Sequence, residues 1–311
     1  MKYTFVKEKK ILFFVVLVIF FCEFLFAFSK EELSDNIKHI KTIPQISDRI
    51  KGTEKQSLLF IGNSLIGEAI DTSILRSILS KNNRYKSFAI ERIVPDGTGL
   101  LDWYFILKNF FVMPNKIPDM VIIGFAWKNS LSDQYPINQV RLADFACKMI
   151  DLPELSDFGL NSIEGKTEFI VAKISSIYSN RSIIRNRLLS NLIPYYQTVT
   201  QSMNEDSNLN LHSNNKNDLI FSYNRFQRLL SILRENDICA LFVAMPIIDN
   251  YEIDEEIEKM IYRSGMLLVD CRFTPELSTE MFKDKMHLNE KGRVKFSRYL
   301  AKQIKDTNKI Q

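Results

Sequence analysis

Cysteine is scarce in this 311-residue sequence, and the positions of the four cysteines argue against a zinc site and against a disulfide framework. Cys22 lies inside an apolar N-terminal run, which leaves Cys147, Cys239 and Cys271. Their spacing fits no zinc pattern, and three cysteines cannot form a complete disulfide framework. We therefore expect free thiols that pack as small apolar side chains, and we expect no metal site.

Several features that indicate a nucleic-acid or nucleotide ligand are also missing. The net charge is +4, of which Lys2, Lys7, Lys9 and Lys10 against Glu8 supply +3, and no basic stripe follows downstream. Neither Gly-x-Gly-x-x-Gly nor a Walker glycine-lysine motif occurs, and no internal repeat is visible. The sequence therefore argues against a nucleic-acid partner and gives little support to a nucleotide-binding module.

One long apolar run, residues 11–28, follows the lysine-rich start. As a helix it would be about 27 Å long, barely enough for a bilayer core of about 30 Å. Glu23 leaves twelve uninterrupted apolar residues, as in a signal-peptide core, and Ala27-Phe28-Ser29 resembles a cleavage site. Residues 1–29 are thus either a cleaved signal peptide or a retained membrane anchor. Both place residues 30–311 outside the cytoplasm, in the periplasm or at the cell surface.

From Ser57 onward, short apolar runs alternate with stretches of helical periodicity, and residues 30–56 before them are predicted to be a linker or leading helix. Five such alternations predict a five-stranded parallel sheet of flavodoxin-like order with helices on both faces, a three-layer α/β/α sandwich. The five strands are predicted at Leu58–Ile61, Phe88–Val94, Met120–Ile123, Cys239–Met245 and Met266–Val269.

Residues 130–217 do not follow the alternation. They contain helical patterns near Val140–Ile150 and Phe169–Leu192, and then a polar tract from Met203 to Asn217. We interpret this stretch as an insertion between the third and fourth strands, folded as a helical subdomain or lid. The domain spanning residues 57–311 would therefore contain a helical insertion at about 130–217.

Two distant loops carry the residues that suggest chemistry. Ser64 follows the first predicted strand, and Asp284 and His287 follow the fifth, before the last helix. In an open parallel sheet these positions meet at the carboxyl edge of the strands. His287 could accept the proton of the Ser64 hydroxyl, and Asp284 could orient the imidazole and stabilise its charged form.

A serine nucleophile also needs donors directed at the oxyanion of the tetrahedral intermediate. The backbone N–H of Ser64 is one candidate. A glycine N–H after the second strand, Gly97 or Gly99, is another, and the Asn129 side-chain amide after the third strand is the last. This mechanism requires no cofactor.

These segments resemble the blocks of the SGNH (GDSL-type) hydrolase superfamily. The first block is Ile61-Gly62-Asn63-Ser64-Leu65, with Asn63 where the family usually has Asp. Residues Pro95 to Gly99 resemble the second block of the family, and residues Gly124 to Asn129 resemble the third. The segment from Asp284 to His287 matches the fifth block. The resemblance covers roughly residues 57–125 and 219–305. It implies a three-layer fold, an acyl-serine intermediate, and ester hydrolysis or acyl transfer, often on O-acetylated sugars.

With an export signal, the resemblance favours an acylated carbohydrate outside the cytoplasm, or another small ester, as substrate. The membrane is a second expected partner if the N-terminal helix is uncleaved. Because the third block has Ser130 after Asn129, without the compact Gly-x-Asn-Asp form, a non-catalytic polysaccharide-binding or assembly protein is the alternative. Trp127 is expected to line an acyl or sugar pocket, and His39 is expected at the surface.

Overall fold

The computed structural model describes residues 2–80, 88–196 and 221–307, without the side chains of residues 2–7, 128 and 129. The chain forms two compact units. The sheet unit comprises residues 39–137 and 208–311, and the helical unit comprises residues 1–38 and 138–207. The polar tract predicted at 203–217 lies outside the described residues.

A five-stranded sheet forms the centre of the sheet unit. Its strands are β1 Ser57–Ile61, β2 Ala89–Ile93, β3 Met120–Phe125, β4 Cys239–Ala244 and β5 Leu267–Asp270. They are parallel and lie in the order β2-β1-β3-β4-β5. This is the flavodoxin-like order, and it confirms the predicted fold class.

Alternate residues of the strands face two different helical layers. Leu58 and Phe60 of β1 pack in one buried cluster with residues of the helices between 64 and 80 and of Glu290–Thr307. On the opposite face, Phe242 of β4 meets Phe226 edge-on, with ring centroids 5.4 Å apart. Apolar burial on both faces explains why the strands read as continuous apolar runs.

The helices of the sheet unit precede, connect and follow these strands. The α-helices are Ile43–Lys51, Ser64–Ala69, Thr72–Ser80, Leu100–Ile106, Asn224–Glu235, Glu255–Arg263 and Glu290–Thr307. A π-helical segment, Leu107–Val112, extends Leu100–Ile106, and 3-10 turns form at Lys128–Leu131 and Thr279–Met281.

The segment predicted as a linker or leading helix contributes to the core of the sheet unit. Within residues 30–56, helix Ile43–Lys51 buries Ile43, Ile46 and Ile50. These residues recur at helical spacing, so one face of the helix is apolar. The leading helix is therefore part of the folded unit that carries the sheet.

Two of the three cysteines beyond Cys22 are buried, as the sequence predicted, whereas Cys239 is only partly buried. Among the described residues all four are free thiols, and Cys147 and Cys271 are buried. Burial, and then the charge of Asp270, raise the pKa of Cys271 to about 12. A thiol that stays protonated is a poor nucleophile and metal ligand.

The helical unit begins with helix Lys2–Ser29 and the 3-10 turn Lys30–Leu33. Its other α-helices are Leu152–Asp157, Ile163–Ile174, Ser176–Ser179 and Arg181–Leu192, with short helical turns at Gln139–Arg141, Leu142–Ala146 and Met149–Asp151. The boundary between the two units, after Lys38, falls within helix Asp35–Lys41. In the helical unit, Leu155 and Phe169 are fully buried.

Within the described part of the chain, one helical stretch, Glu8–Leu33, is long and apolar enough to cross a membrane. This finding concerns length and composition only. None of the most apolar 18-residue segment of this stretch is buried within the protein.

Candidate active site

Ser64 is the first residue of helix Ser64–Ala69, and only Gly62 and Asn63 separate it from β1. Asn63 caps this helix, because its Oδ1 accepts a hydrogen bond from the Leu65 N–H at 3.1 Å. The Asn63 Nδ2 donates to the Thr98 carbonyl at 3.3 Å. Asn63 therefore fixes the start of the helix and ties it to the loop that follows β2.

Two glycines let this helix approach the ends of the central strands. A Cβ on Gly62 would lie 2.7 Å from Cγ2 of Ile66, and one on Gly124 would lie 2.6 Å from its Cδ1. Ile66 is fully buried between them. Both glycines, which belong to the first and third sequence blocks, thus make room for the helix that begins with Ser64.

Asp284 and His287 lie on a short loop closed by its own backbone. Phe282 and Leu288 form an antiparallel bridge, and the Lys283 N–H donates to the His287 carbonyl at 2.9 Å. The next residue, Asn289, caps the last helix by accepting from the N–H groups of residues 291 and 292. The loop therefore connects a bridge to a capped helix, and both ends are fixed.

The structure brings the three predicted residues together. The His287 Nε2 lies 2.9 Å from the Ser64 Oγ, although the residues are 223 positions apart. The His287 Nδ1 lies 2.9 and 3.1 Å from the two carboxylate oxygens of Asp284. The side chains of His287 and Asp284 are 15% and 29% exposed, so water reaches the site but does not surround it.

The loop also favours the ionised form of Asp284. Burial alone would raise its pKa, but N–H donation from Met286 and His287 and the contact with the imidazole hold the pKa below its ordinary value. The two backbone bonds are 2.8 and 2.7 Å long and meet at the same oxygen, Oδ1. Asp284 can therefore orient the ring through Nδ1 and stabilise positive charge on it.

A second set of charged residues lies near the histidine. Partial desolvation, and then the charge of Glu68, raise the pKa of Asp96, while His287 and Lys283 act in the opposite direction. Lys283 also forms an ion pair with Glu68. No local sequence pattern marks this ionic rim, because Glu68, Asp96 and Lys283 come from three separate loops and helices.

The contacts of the second block favour Gly97 over Gly99 as an oxyanion donor. The Gly99 N–H donates to the Asp102 carboxylate at 2.9 Å, and its Cβ position lies 2.5 Å from Cε1 of Tyr135. Gly97 has a φ of +66° in an exposed turn, and its N–H has no acceptor among the described residues. Glycine adopts this left-handed conformation without the steric cost that other residues incur.

The other two oxyanion candidates are the backbone N–H of Ser64 and the side-chain amide of Asn129. The N–H of Ser64 is at the start of a helix, where no intrahelical acceptor exists. It is therefore available to a ligand beside the hydroxyl. The side chain of Asn129 lies outside the described residues, and its backbone is in the turn Lys128–Leu131. The role of its amide stays a prediction.

A cavity of about 150 Å³ opens beside Ser64. It is lined by the residues of the first two blocks and by a group of mostly apolar side chains: Trp103, Phe125, Ala126, Trp127, Ser130, Tyr135 and Met286. Trp127 has a φ of +61°, an unusual value for a bulky residue, and its ring centroid lies 6.2 Å from that of Tyr251. The predicted place of Trp127 beside the site is therefore observed.

The residues that support this site were mostly missed in the sequence. His39, expected at the surface, is half-buried, and its Nε2 accepts a hydrogen bond from the Val94 N–H at 3.0 Å. The expectation was wrong because the partner is 55 positions away and no local pattern marks the contact. Asp102 could have been identified, since an acidic side chain three positions after a helix cap often accepts from the N–H of the cap residue, here Gly99.

Comparisons with known proteins gave matches among solved structures only. No family model matches the sequence, and no curated protein matches it. The acetyl xylan esterase AlAXEase is 14% identical, with a TM-score of 0.38, over 81% of this chain and 98% of that one. The acetylxylan esterase Axe2 from Geobacillus stearothermophilus is 12% identical, with a TM-score of 0.41, over 82% of this chain and 95% of that one. These sequence identities and TM-scores are too low to assign a function. The fold is therefore assigned from the order of the strands, and the candidate site is described from its own distances.

Proposed function

We propose that this protein is a serine-dependent ester hydrolase or O-acyltransferase that works through an acyl-Ser64 intermediate. One observation carries the proposal: Ser64 Oγ, His287 Nε2, His287 Nδ1 and the Asp284 carboxylate form a continuous chain of contacts of 2.9 Å. A nucleophile within hydrogen-bonding reach of a base, which is itself oriented by a third group, is the arrangement that nucleophilic catalysis requires.

In the first half-reaction, the Ser64 Oγ attacks the carbonyl carbon of the ester while its proton passes to His287 Nε2. The carbonyl oxygen becomes an oxyanion that the N–H groups of Ser64 and Gly97 can stabilise, with the Asn129 amide as a third predicted donor. The intermediate then collapses. The bond to the alcohol oxygen breaks, His287 returns the proton to that oxygen, and the acyl group stays on Ser64.

In the second half-reaction, His287 removes a proton from water or from an acceptor hydroxyl, which attacks the acyl-enzyme. Ser64 leaves and regains its proton from His287. Water gives hydrolysis and a second hydroxyl gives transfer, so both activities use the same residues. Asp284 keeps the Nδ1 proton in place during both steps.

The cavity supports a small acyl group. About 150 Å³ beside Ser64 is comparable with engineered protein cavities that hold benzene, so there is room for an acetyl group. The resemblance of the sequence blocks to SGNH enzymes supports an O-acetylated carbohydrate as the molecule that carries it. The lysine-rich, apolar N-terminus supports a site of action outside the cytoplasm.

The test compares acetyl release from p-nitrophenyl acetate and from O-acetylated oligosaccharides in wild type, Ser64→Ala and His287→Ala. Each substitution should lower turnover by orders of magnitude without unfolding the protein. Ser77→Ala removes an exposed helical serine hydroxyl and is the matched control with unchanged turnover. Equal rates in all four proteins would refute the proposed site.

The alternative, a non-catalytic polysaccharide-binding or assembly protein, is motivated by the irregular third block. A fluorophosphonate probe distinguishes the two functions, because it reacts covalently with an activated serine. Labelling that disappears in Ser64→Ala supports the enzyme. A well-folded wild-type protein that is not labelled supports the binding protein.

A further inference from the structure

Glu23 occupies an unusual position in the N-terminal apolar helix. It follows twelve apolar residues, Ile11 to Cys22, and precedes Phe24 to Phe28. An ionised carboxylate inside an apolar segment is unfavourable in a membrane unless it is hydrogen-bonded. Its contacts within the helical unit provide those bonds.

The Glu23 carboxylate accepts hydrogen bonds from the segment that joins two helices of the helical unit. The N–H groups of Ser176 and Ile177 donate to its Oε2 at 2.9 and 3.2 Å, and the Ser175 hydroxyl contacts its Oε1. A second contact lies further along, where the Arg187 Nη1 donates to the Glu32 carbonyl at 2.8 Å. The N-terminal helix and the 3-10 turn that follows it are thus each hydrogen-bonded to the second segment of the helical unit.

The positions of these two contacts along the chain match the polarity of a membrane. The contact at Glu23 lies about 9 Å before the helix end at Ser29, counting 1.5 Å per residue, and therefore within the apolar run. The contact at Glu32 lies beyond that run, among charged residues. Ile174 is next to Ser175 and is 76% exposed, whereas an arginine lies at the outer level. Apolar groups at the deeper level and a cation at the outer level suit acyl chains and headgroups.

Helix Ile163–Ile174 carries an exposed ridge that leads up to this contact. Its members recur at intervals of three or four residues and lie on one helical face, with the exposed Glu164 at the edge of that face: Ile163, Thr167, Val171 and Ile174. Ile163 is 85% exposed. The Thr167 hydroxyl donates to the Ile163 carbonyl at 2.8 Å, so the one polar group of the ridge is satisfied within the helix. An apolar surface with no unsatisfied donor is compatible with lipid.

We infer that the N-terminal helix is retained as a membrane anchor, and that this ridge lies in the outer leaflet of the lipid bilayer beside it. The occupant of the ridge is the acyl-chain region of the membrane. A penetration of about 5–10 Å is typical of apolar segments that bind at a membrane surface, and the Glu23 contact lies about 9 Å before the helix end. The inference is independent of the catalytic proposal, because no residue of the active site enters it.

The first experiment determines the fate of residues 1–29 in the full chain expressed in cells. Mass spectrometry should find the protein in the membrane fraction with its N-terminal helix intact, and alkaline carbonate should not release it. A mature N-terminus near residue 30, or release by carbonate, would overturn the inference.

The second experiment detects lipid at the ridge. Single cysteines at Ile174→Cys, Ile163→Cys and Lys302→Cys, in a Cys22→Ser background, are labelled with an environment-sensitive fluorophore. The protein is reconstituted in phosphatidylcholine and phosphatidylglycerol vesicles with or without nitroxide-labelled acyl chains. The background protein without an added cysteine corrects for the native thiols.

Acyl-chain nitroxides should quench the probes at 163 and 174 several-fold more than the probe at 302, which is exposed in the sheet unit. Quenching at either ridge position no greater than at 302 would overturn the inference, and this outcome includes a ridge covered by a second copy of the chain.

Glu23→Ala should reduce quenching at 174, whereas Glu23→Gln retains an acceptor and should preserve it. Glu8→Ala, at the other end of the same helix, is the matched control. Unchanged quenching in Glu23→Ala would contradict the role of Glu23. Thermal unfolding of each variant, followed by circular dichroism, reports separately whether the protein is folded.

Discussion

At the scale of single residues, the chemistry depends on which atom of Asp284 faces the imidazole. Its Oδ1 already accepts two backbone N–H groups, so Oδ2, 2.9 Å from Nδ1, is the oxygen that holds the ring. The carboxylate is ionised over the range in which the enzyme would work, because its pKa is lower than the ordinary value near 3.9. The stabilisation that Asp284 contributes is present above that value and is lost as the pH falls through its lowered pKa.

Asp284→Asn should therefore lower kcat by about 10⁴-fold with the fold preserved. The asparagine Oδ1 can still accept the two backbone bonds, which turns its NH₂ group toward His287 Nδ1 and favours the wrong tautomer. Turnover of p-nitrophenyl acetate from pH 5 to pH 9 measures the effect. The loss should be similar across that range, because Asp284 does not titrate there. A deficit restricted to acidic pH would contradict this assignment.

His39 shows how a residue outside the reacting group can position it. Its Nε2 must be unprotonated to accept the Val94 N–H, and this bond lies three residues before Gly97. Burial, and then the nearby charge of Arg92, lower the pKa of His39. The resulting stabilisation is complete above the ordinary value near 6.5 and is lost as the pH falls through the lowered folded-state pKa.

His39→Ala should reduce stability by about 1–3 kcal/mol, because a half-buried N–H loses its acceptor. His39→Gln offers an uncharged acceptor and should recover most of that loss. Thermal unfolding at pH 5 and pH 8 tests the origin of the effect. The wild type should lose more stability on acidification than His39→Gln. Equal pH dependence in the two proteins would show that His39 protonation is unimportant.

At the scale of elements, the strand-turn-helix unit around Ser64 was largely predictable from the sequence. The apolar run ending at Gly62 marks a buried strand, and Asn63 is a good helix cap. The contact between Asn63 and the Thr98 carbonyl was not predictable, since it joins loops 35 positions apart. For the same reason the choice between Gly97 and Gly99 required the structure, although the spacing of Gly99 and Asp102 indicated their hydrogen bond locally.

Asn63 carries two separable contacts, and two substitutions distinguish them. Asn63→Ala should reduce stability by about 1 kcal/mol and lower turnover, because the helix that begins with Ser64 loses its cap. Asn63→Asp keeps the acceptor for the Leu65 N–H but cannot donate to Thr98. If the cap dominates, Asn63→Asp should behave like wild type in thermal unfolding and in ester turnover. Equal defects in the two variants would assign the effect to the Thr98 contact.

At the scale of the whole molecule, local periodicity predicted the five strands but not the grouping of the helices. Residues 138–207 form one unit with residues 1–38, although more than 90 residues of the sheet unit separate them in sequence. Such grouping depends on individual contacts, such as the bonds between Glu23 and residues 175–177, which leave no periodic signal. The long insertion itself was recognisable because it interrupts the alternation of strands and helices.

The two ends of the insertion are joined within the sheet unit by Asp133. Its carboxylate accepts hydrogen bonds from the Ser222 hydroxyl and from the backbone N–H groups of Asn224 and Arg225, between 2.6 and 3.0 Å. Its own N–H donates to the Ser222 carbonyl, and the Arg225 Nη1 donates to the Tyr135 carbonyl at 2.7 Å. Both ends of the insertion are therefore held at its base by the sheet unit itself.

This arrangement predicts that the sheet unit folds and keeps the geometry around Ser64 without the insertion. A protein of residues 35–311, with residues 138–219 replaced by six glycine and serine residues, has a linker that can span about 20 Å. It should unfold cooperatively and react with a fluorophosphonate at Ser64 within several-fold of the full-length rate. Ser64→Ala in the same background is the control for the labelled residue, and Asp133→Ala should lower its stability because four donors lose their acceptor. A shortened protein that folds but is not labelled, while the full chain is, would show that the helical unit completes the site.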